Sequence, residues 1–189
     1  EVAAAFPAAR EVFEEIDEAL GQNLSRLMFE GPDDELILTE NAQPAIMAVS
    51  LAVMRVLRVE GEFDLASSAA FVAGHSLGEY SALSAAGSFG LADTARLLKT
   101  RGLAMQEAVP VGQGAMAALM GLDLDVVQAV ADEAAAGEVC TGANDNAPGQ
   151  VVVSGSVGAV KRAIEIAKAK GAKRAILLPV SAPFHCALL

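Results

Sequence analysis

Ser76 stands in Phe71-Val72-Ala73-Gly74-His75-Ser76-Leu77-Gly78-Glu79-Tyr80, a Gly-x-Ser-x-Gly turn between an apolar run and a helical one. Residues 69–73 predict a short buried strand and residues 79–86 a helix. Strand, tight turn and helix in that order are the context of a nucleophile elbow. In an elbow the glycines let the backbone turn sharply, so the serine hydroxyl is presented at the helix N-terminus. The N–H of Leu77 then faces the position where an oxyanion develops. The same residues also fit a glycine-rich turn whose serine caps the helix. On this stretch alone both readings stand.

A serine nucleophile needs a base, and the chain holds two histidines. His75 is adjacent to Ser76, so its side chain points away from the hydroxyl. His185, in Pro179-Val180-Ser181-Ala182-Pro183-Phe184-His185-Cys186, is the remaining imidazole, in a loop fixed by two prolines. A lone histidine is more often structural, and it is the elbow serine that makes His185 a candidate base. Cys186 faces the other way in an extended segment and reads as packing.

The elements that must position these groups follow from hydrophobic period. Residues 2–20 carry a helical stripe with Pro7 in the first turn; residues 24–29 and the apolar residues 41–57 are further helices, as are residues 91–106, which carry Arg101. Pro110-Val111-Gly112-Gln113-Gly114 breaks the pattern and marks a boundary. Beyond it the order is strand (115–120), helix (125–136), strand (139–143), an Asn-Asp-Asn-Ala-Pro-Gly turn, strand (150–154), helix (157–170, capped by Ser156) and strand (174–178). That is the β-α-β-β-α-β order of a ferredoxin-like sub-domain.

Composition removes several function classes. The net charge of −11 argues against nucleic-acid binding. The longest apolar stretch, residues 42–54, stops at Arg55, short of the roughly 20 residues a membrane span needs. Cys140 and Cys186 have no metal-ligand spacing and suggest no disulfide framework. Without a secretory leader, the expectation is a soluble cytoplasmic protein with no metal and no membrane contact. The chain begins at Glu1 without methionine and ends at Leu189 after an apolar stretch, so it reads as truncated at both ends.

Gly74-His75-Ser76-Leu77-Gly78-Glu79-Tyr80-Ser81-Ala82-Leu83, then Arg101, then Asn144-Asp145-Asn146-Ala147-Pro148-Gly149-Gln150-Val151-Val152, then Ser181-Ala182-Pro183-Phe184-His185-Cys186-Ala187-Leu188 resemble the malonyl-CoA:acyl-carrier-protein transacylase family in order and spacing. The likeness runs essentially from end to end. It implies an α/β fold: a hydrolase-like α/β core over residues 1–110, an inserted ferredoxin-like sub-domain over 111–178, and a return to the core at 179–189 carrying the histidine. It implies Ser76 as nucleophile, His185 as base, Leu77 as an oxyanion donor, and Arg101, Asn146 and Asn144 as substrate-binding residues. Arg101 matches the arginine that holds the free carboxylate of the acyl group. From its surroundings in the sequence alone, Arg101 is a helix-surface ion-pair residue. The Pro-Phe-His form before Cys186 resembles malonyl-selective members.

The implied activity is transfer of malonyl from coenzyme A to the phosphopantetheine thiol of acyl carrier protein in fatty acid biosynthesis. The coenzyme A thioester is then a substrate, and no cofactor stays bound. The family's first strand, with its Gly-Gln-Gly-Ser-Gln loop, and its C-terminal segment are absent from this sequence. Two other classes remain. One is a serine hydrolase or thioesterase in Ser-Asp-His order using Asp123, Asp132 or Asp145; the other is a non-catalytic fragment or carrier-binding module.

The carrier partner suggests one more set of residues. Lys161, Arg162, Lys168, Lys170, Lys173 and Arg174 are six of the chain's 13 basic residues, and within their segment only Glu165 opposes them. Such a patch is what an acidic carrier needs to meet an acidic enzyme. Lys168, Lys170 and Lys173 are its candidate docking residues; a solvated basic face is the plainer alternative.

Overall fold

Pro7 decides how the chain begins. The residue before a proline is pushed out of the helical region, and Phe6 is extended at φ −127°, ψ 118°. The single helix expected over residues 2–20 is therefore two, α1 (Val2–Ala5) and α2 (Pro7–Leu20), with Pro7 at the first position of the second. The computed structural model describes all residues, 1–189, and the chain divides into two units, Glu1–Leu103 and Ala104–Leu189.

The first unit is helical throughout: α1 and α2, then α3 (Leu24–Glu30), α4 (Asp33–Leu36), α5 (Thr39–Glu60), α6 (Leu65–Ser68), α7 (Gly78–Ala85) and most of α8 (Leu91–Ala108). Asn23 caps α3 by accepting the N–H of Arg26. The apolar stripe of α2, with Val12, Phe13 and Ile16, packs with Met47, Ala48 and Leu51 of α5 and with Ala95 and Leu98 of α8. By length and composition α5 is apolar enough to cross a membrane. One face of it packs in the core through Met47, Ala48, Leu51 and Ala52, while Ile46, Val49, Val53, Leu57 and Val59 are exposed, and its N-terminal end buries three polar side chains, Thr39, Asn41 and Gln43.

The strand expected over residues 69–73 is not formed. Those residues are irregular and exposed, with Phe71 92% accessible. A buried strand needs neighbouring strands to take its N–H and C=O groups, and every strand of this chain lies in the other unit.

The second unit holds β1 (Gly114–Met120), α9 (Leu124–Ala135), β2 (Cys140–Ala147), β3 (Gln150–Ser156), α10 (Val157–Ala169) and β4 (Arg174–Leu177). The four strands make one antiparallel sheet in the order β2-β3-β1-β4. Alternation sends Ala115, Ala117 and Leu119 of β1 and Val151 and Val153 of β3 to one face. There they meet Val127, Val130 and Ala131 of α9 and Val160, Ala163 and Ala167 of α10.

Two local expectations change. The Asn144-Asp145-Asn146 stretch, expected as turn, belongs to β2, because Pro148 and Gly149 suffice to turn the hairpin. Register shifts between Gly142 and Asn144 and between Asp145 and Ala147 absorb the irregular pairing. Ser156 does stand at the start of α10, but its side chain makes no capping hydrogen bond.

Candidate functional site

Ser76 adopts φ +53°, a left-handed conformation that a serine holds only when its surroundings enforce it. The enforcing contact is at Gly74, where a Cβ would collide with the carbonyl of Gly78 and the N of Glu79. A Cβ at Gly78 would meet open space. Of the two motif glycines, therefore, the first has no room for a side chain, and the strain rests on the serine between them. Ser76 does not cap the helix: α7 begins after Leu77 with no side-chain cap. The turn is closed by Gly78 N–H to His75 O at 2.9 Å and Glu79 N–H to Ser76 O at 3.2 Å. The N–H of Leu77 makes neither of these bonds.

Arg101 reaches this serine from α8. Its Nη2 donates to Ser76 Oγ at 3.2 Å and its Nη1 to Gln43 Oε1 at 2.5 Å. The guanidinium carbon lies 5.8 Å from the centroid of the Tyr80 ring, within cation–π range. Gln43 in turn donates through Nε2 to Thr39 Oγ1 at 2.8 Å, one helical turn earlier on α5. Arg101 takes part in none of the chain's ion pairs. The helix-surface ion pair expected from its sequence neighbourhood is thus replaced by a half-buried cation held by neutral partners.

Helix α8 comes this close because residue 102 is glycine. A Cβ there would lie 2.7 Å from both Glu40 N and Thr39 O, and closer still to Glu40 Cα. The backbone of α8 rests directly on the first turn of α5, so Arg101 and Gln43 meet. Beside this contact Lys99 Nζ donates to Asn41 Oδ1 at 2.9 Å and lies 3.6 Å from Glu40.

The remaining candidates belong to the second unit. His185 is exposed and has φ +59°, in the loop after β4. That loop is tied down by Gln106 Nε2 donating to Ser181 O at 3.3 Å and by the ring of Pro183, which fills the space over Gly114. Cys186 Sγ donates to Pro183 O at 3.2 Å, as a packing residue does. Asn144, half-buried, and Asn146, exposed, lie on β2. No group of three His, Cys, Asp or Glu residues is arranged to hold a metal ion.

The basic segment is less free than its sequence suggests. Besides Lys168–Glu165 at 2.8 Å, Lys170 pairs with Glu133 at 3.0 Å and Arg162 with Glu138 at 2.6 Å. Acids from α9 and the segment after it thus join Glu165, which had been expected to stand alone. Lys173 is in none of these pairs; its stem lies over Gly121.

Within the first unit the structure brings together Ser76, Leu77 and Arg101. It adds Gln43 and Thr39, which belong to no motif read from the sequence, and Tyr80, which stands in the Ser76 stretch but was given no role there. The available signal was Gln43-Pro44 inside an apolar helix, since a polar side chain buried in such a run must find partners. A hollow of about 530 Å³ between α5 and residues 63–72 and 84–91 is lined by neither Ser76 nor Arg101.

Residues 2–187 match the acyl transferase domain model. The chain belongs to that family. It is 49% identical over 189 residues to the malonyl CoA-acyl carrier protein transacylase of Escherichia coli (strain K12), covering 100% of this chain and 60% of the relative. It is 48% identical over 184 residues to that of Bacillus subtilis (strain 168), covering 97% of this chain and 56% of the relative. The chain thus spans at most 60% of the length of these relatives. Among solved structures it resembles an acyl-carrier-protein-S-malonyltransferase from Bartonella henselae, with 58% identity and a TM-score of 0.91 over 99% of this chain and 59% of the other. A malonyl-transacylase in complex with a type II PKS acyl-carrier protein matches with 45% identity and a TM-score of 0.90, over 98% of this chain and 59% of the other. The acyltransferase fold is α/β, as expected.

Proposed function

We propose that the whole protein moves a malonyl group from coenzyme A to the phosphopantetheine thiol of an acyl carrier protein, in fatty acid biosynthesis, through a malonyl-serine at Ser76. The observation that carries this reading is the Arg101 guanidinium against Ser76 Oγ with no carboxylate of its own. In a malonyl thioester one methylene separates the free carboxylate from the reacting carbonyl. A cation that recognises the carboxylate must therefore stand beside the nucleophile, as Arg101 does. A planar guanidinium makes a two-point, charge-assisted contact to that carboxylate which lysine cannot copy.

The steps follow from the groups. His185 takes the proton of Ser76 as its Oγ attacks the thioester carbonyl, and the N–H of Leu77 donates to the oxyanion. Collapse breaks the carbon–sulfur bond, and the imidazolium protonates the departing coenzyme A thiolate. The carrier thiol then gives its proton to His185 and attacks the malonyl-serine, and the serine leaves with that proton. Asn144 and Asn146 contribute to substrate binding. Hydrolysis is held back by excluding water from the acyl-serine. No resident cofactor is needed.

The organisation that goes with this reading is a hydrolase-like core over residues 1–110 and 179–189 and a ferredoxin-like insertion over 111–178. Support for the insertion is the β2-β3-β1-β4 sheet order with two helices on one face. Relatives of this kind work on soluble substrates, and we place the protein in the cytoplasm. Lys168, Lys170 and Lys173 are its proposed carrier-docking residues.

The test is one incubation of the whole protein with radiolabelled malonyl-CoA, with and without carrier, followed by intact mass. Transfer to carrier and a malonyl adduct that Ser76→Ala abolishes are expected. Release of free malonate instead makes the protein a hydrolase, and no labelling makes it a non-catalytic module.

A further inference from the structure

Arg101 must present a guanidinium edge to a small anion while remaining fully charged, and its own stem has four rotatable bonds. What fixes it bears on selectivity as directly as the arginine itself. Gln43 is 3% exposed and accepts from Arg101 Nη1 through Oε1, while its Nε2 donates to Thr39 Oγ1, itself 2% exposed. The two ends of the amide are thus spoken for in opposite senses, and this settles which way the amide faces: its oxygen toward the arginine, its nitrogen toward the threonine. The i, i+4 spacing of Thr39 and Gln43 puts both on one face of α5. The ring of Tyr80 bounds the guanidinium as well.

We infer that Gln43, oriented by Thr39, is the positioning residue that sets the donor selectivity of this site by holding the Arg101 guanidinium toward Ser76. The inference rests on the reading of Arg101 as the carboxylate-binding residue. The choice of glutamine has a physical reason. A carboxylate at position 43 would grip the guanidinium more strongly, but it would cancel the charge that the substrate needs and repel the substrate's own carboxylate. A neutral acceptor orients the cation and leaves its charge unspent. With Nη1 engaged by Gln43, Nη2 is directed to the nucleophile, and a bound carboxylate there takes the place of Ser76 Oγ as acceptor. The hydroxyl is then released for attack.

The test compares malonyl-CoA with acetyl-CoA as donors for acylation of the whole protein, because acetyl has no carboxylate to lose. Gln43→Met keeps length and removes the acceptor. It is expected to lower kcat/KM for malonyl-CoA by about 10- to 100-fold, the range for a hydrogen bond to a charged group, mostly through KM, with acetyl-CoA changed by less than about 3-fold. Gln43→Glu, which retains the acceptor and adds charge, is expected to lose malonyl at least as strongly; if the Met variant does not fold, it carries the test. Thr39→Val is expected to show a smaller loss of the same kind. Introduced into Arg101→Ala, Gln43→Met should have no further effect on the malonyl-to-acetyl ratio. Equal losses for both donors would make Gln43 a structural residue and overturn the inference, as would full malonyl activity in Gln43→Glu. If Arg101→Ala itself leaves the donor ratio unchanged, the reading of Arg101 fails, and the inference fails with it. If Arg101→Ala shifts the ratio and the Gln43 variants do not, only the inference fails.

Discussion

Gly102→Ala sets two well-known effects against each other at one position. In a helix interior, alanine is ordinarily better than glycine by about 1 kcal/mol. Here the added methyl would lie 2.7 Å from Glu40 N and Thr39 O, where ordinary contact begins at 3.4 Å. Both neighbours are main-chain atoms in the first turn of α5, so no rotamer change relieves the clash. The still closer contact to Glu40 Cα means that the helices must move apart by about 1 Å, and overpacking of this kind costs about 1–3 kcal/mol. The clash therefore outweighs the propensity gain. A net loss of about 1 kcal/mol, or a Tm lower by about 2–4 °C, is expected in thermal unfolding. Function should suffer more than stability, because the 3.2 Å hydrogen bond between Arg101 Nη2 and Ser76 Oγ already sits near the limit of its range. The malonyl-to-acetyl ratio should fall in the same variant, read from the two donors under identical conditions. A Gly102→Ala protein as stable as its parent, or more so, would refute the close approach of α8 to α5.

Two further outcomes are expected. Burial pushes the Cys140 thiol up to about 11 from a reference of 9.0, so a maleimide at pH 8 should leave it unlabelled in the folded protein and label it in urea; peptide mass spectrometry reads the difference, and prompt native labelling would contradict it. Because the unfolded chain releases that proton first, this thiol's contribution to stability is whole below about pH 9 and is lost as pH rises through about 11. Reversal of Lys168, Lys170 and Lys173 to Glu should lower the carrier on-rate at low salt about 10-fold or more and flatten its salt dependence, with acylation by malonyl-CoA much less affected. Stopped-flow rates that keep their magnitude and ionic-strength dependence would move docking elsewhere. Two of these lysines already pair with Glu165 and Glu133, so reversal also places like charges together, and unfolding should be followed in parallel.

Where period alone decides an element, the sequence is legible. The stripes of α2, α9 and α10 and the alternation of β1 and β3 are visible as patterns, and those residues form the two cores. Misreadings arose where a local pattern required a partner the pattern does not contain. Residues 69–73 have the apolar character of a strand, but a strand exists only through its neighbours' hydrogen bonds, and this unit has none to offer. Asn144 to Asn146 have turn composition, yet Pro148-Gly149 needed no help in turning. Phe6 was a matter of one residue's φ and ψ, set by the proline after it.

The site was legible to a different depth. Ser76 announces itself through flanking glycines, because its strained backbone depends on sequence neighbours. Arg101 has no such local mark; its meaning lies in what α8 meets across the unit. The responsible feature is an absence, the missing side chain at Gly102, and absences of this kind carry no periodic signal. Gln43 is harder still, since its role depends on a contact that the missing side chain at 102 makes possible. Ser76 and Arg101 are therefore placed by the same device. At Gly74 the elbow closes on the backbone of α7, and at Gly102 helix α8 closes on the backbone of α5. Main chain against main chain leaves no rotamers to choose among, so the backbone positions of Ser76 and Arg101 follow from helix packing, and Gln43 then orients the guanidinium. Helix packing spans many residues and yields in steps, not by degrees. A site so built should respond abruptly to a single methyl group at either glycine.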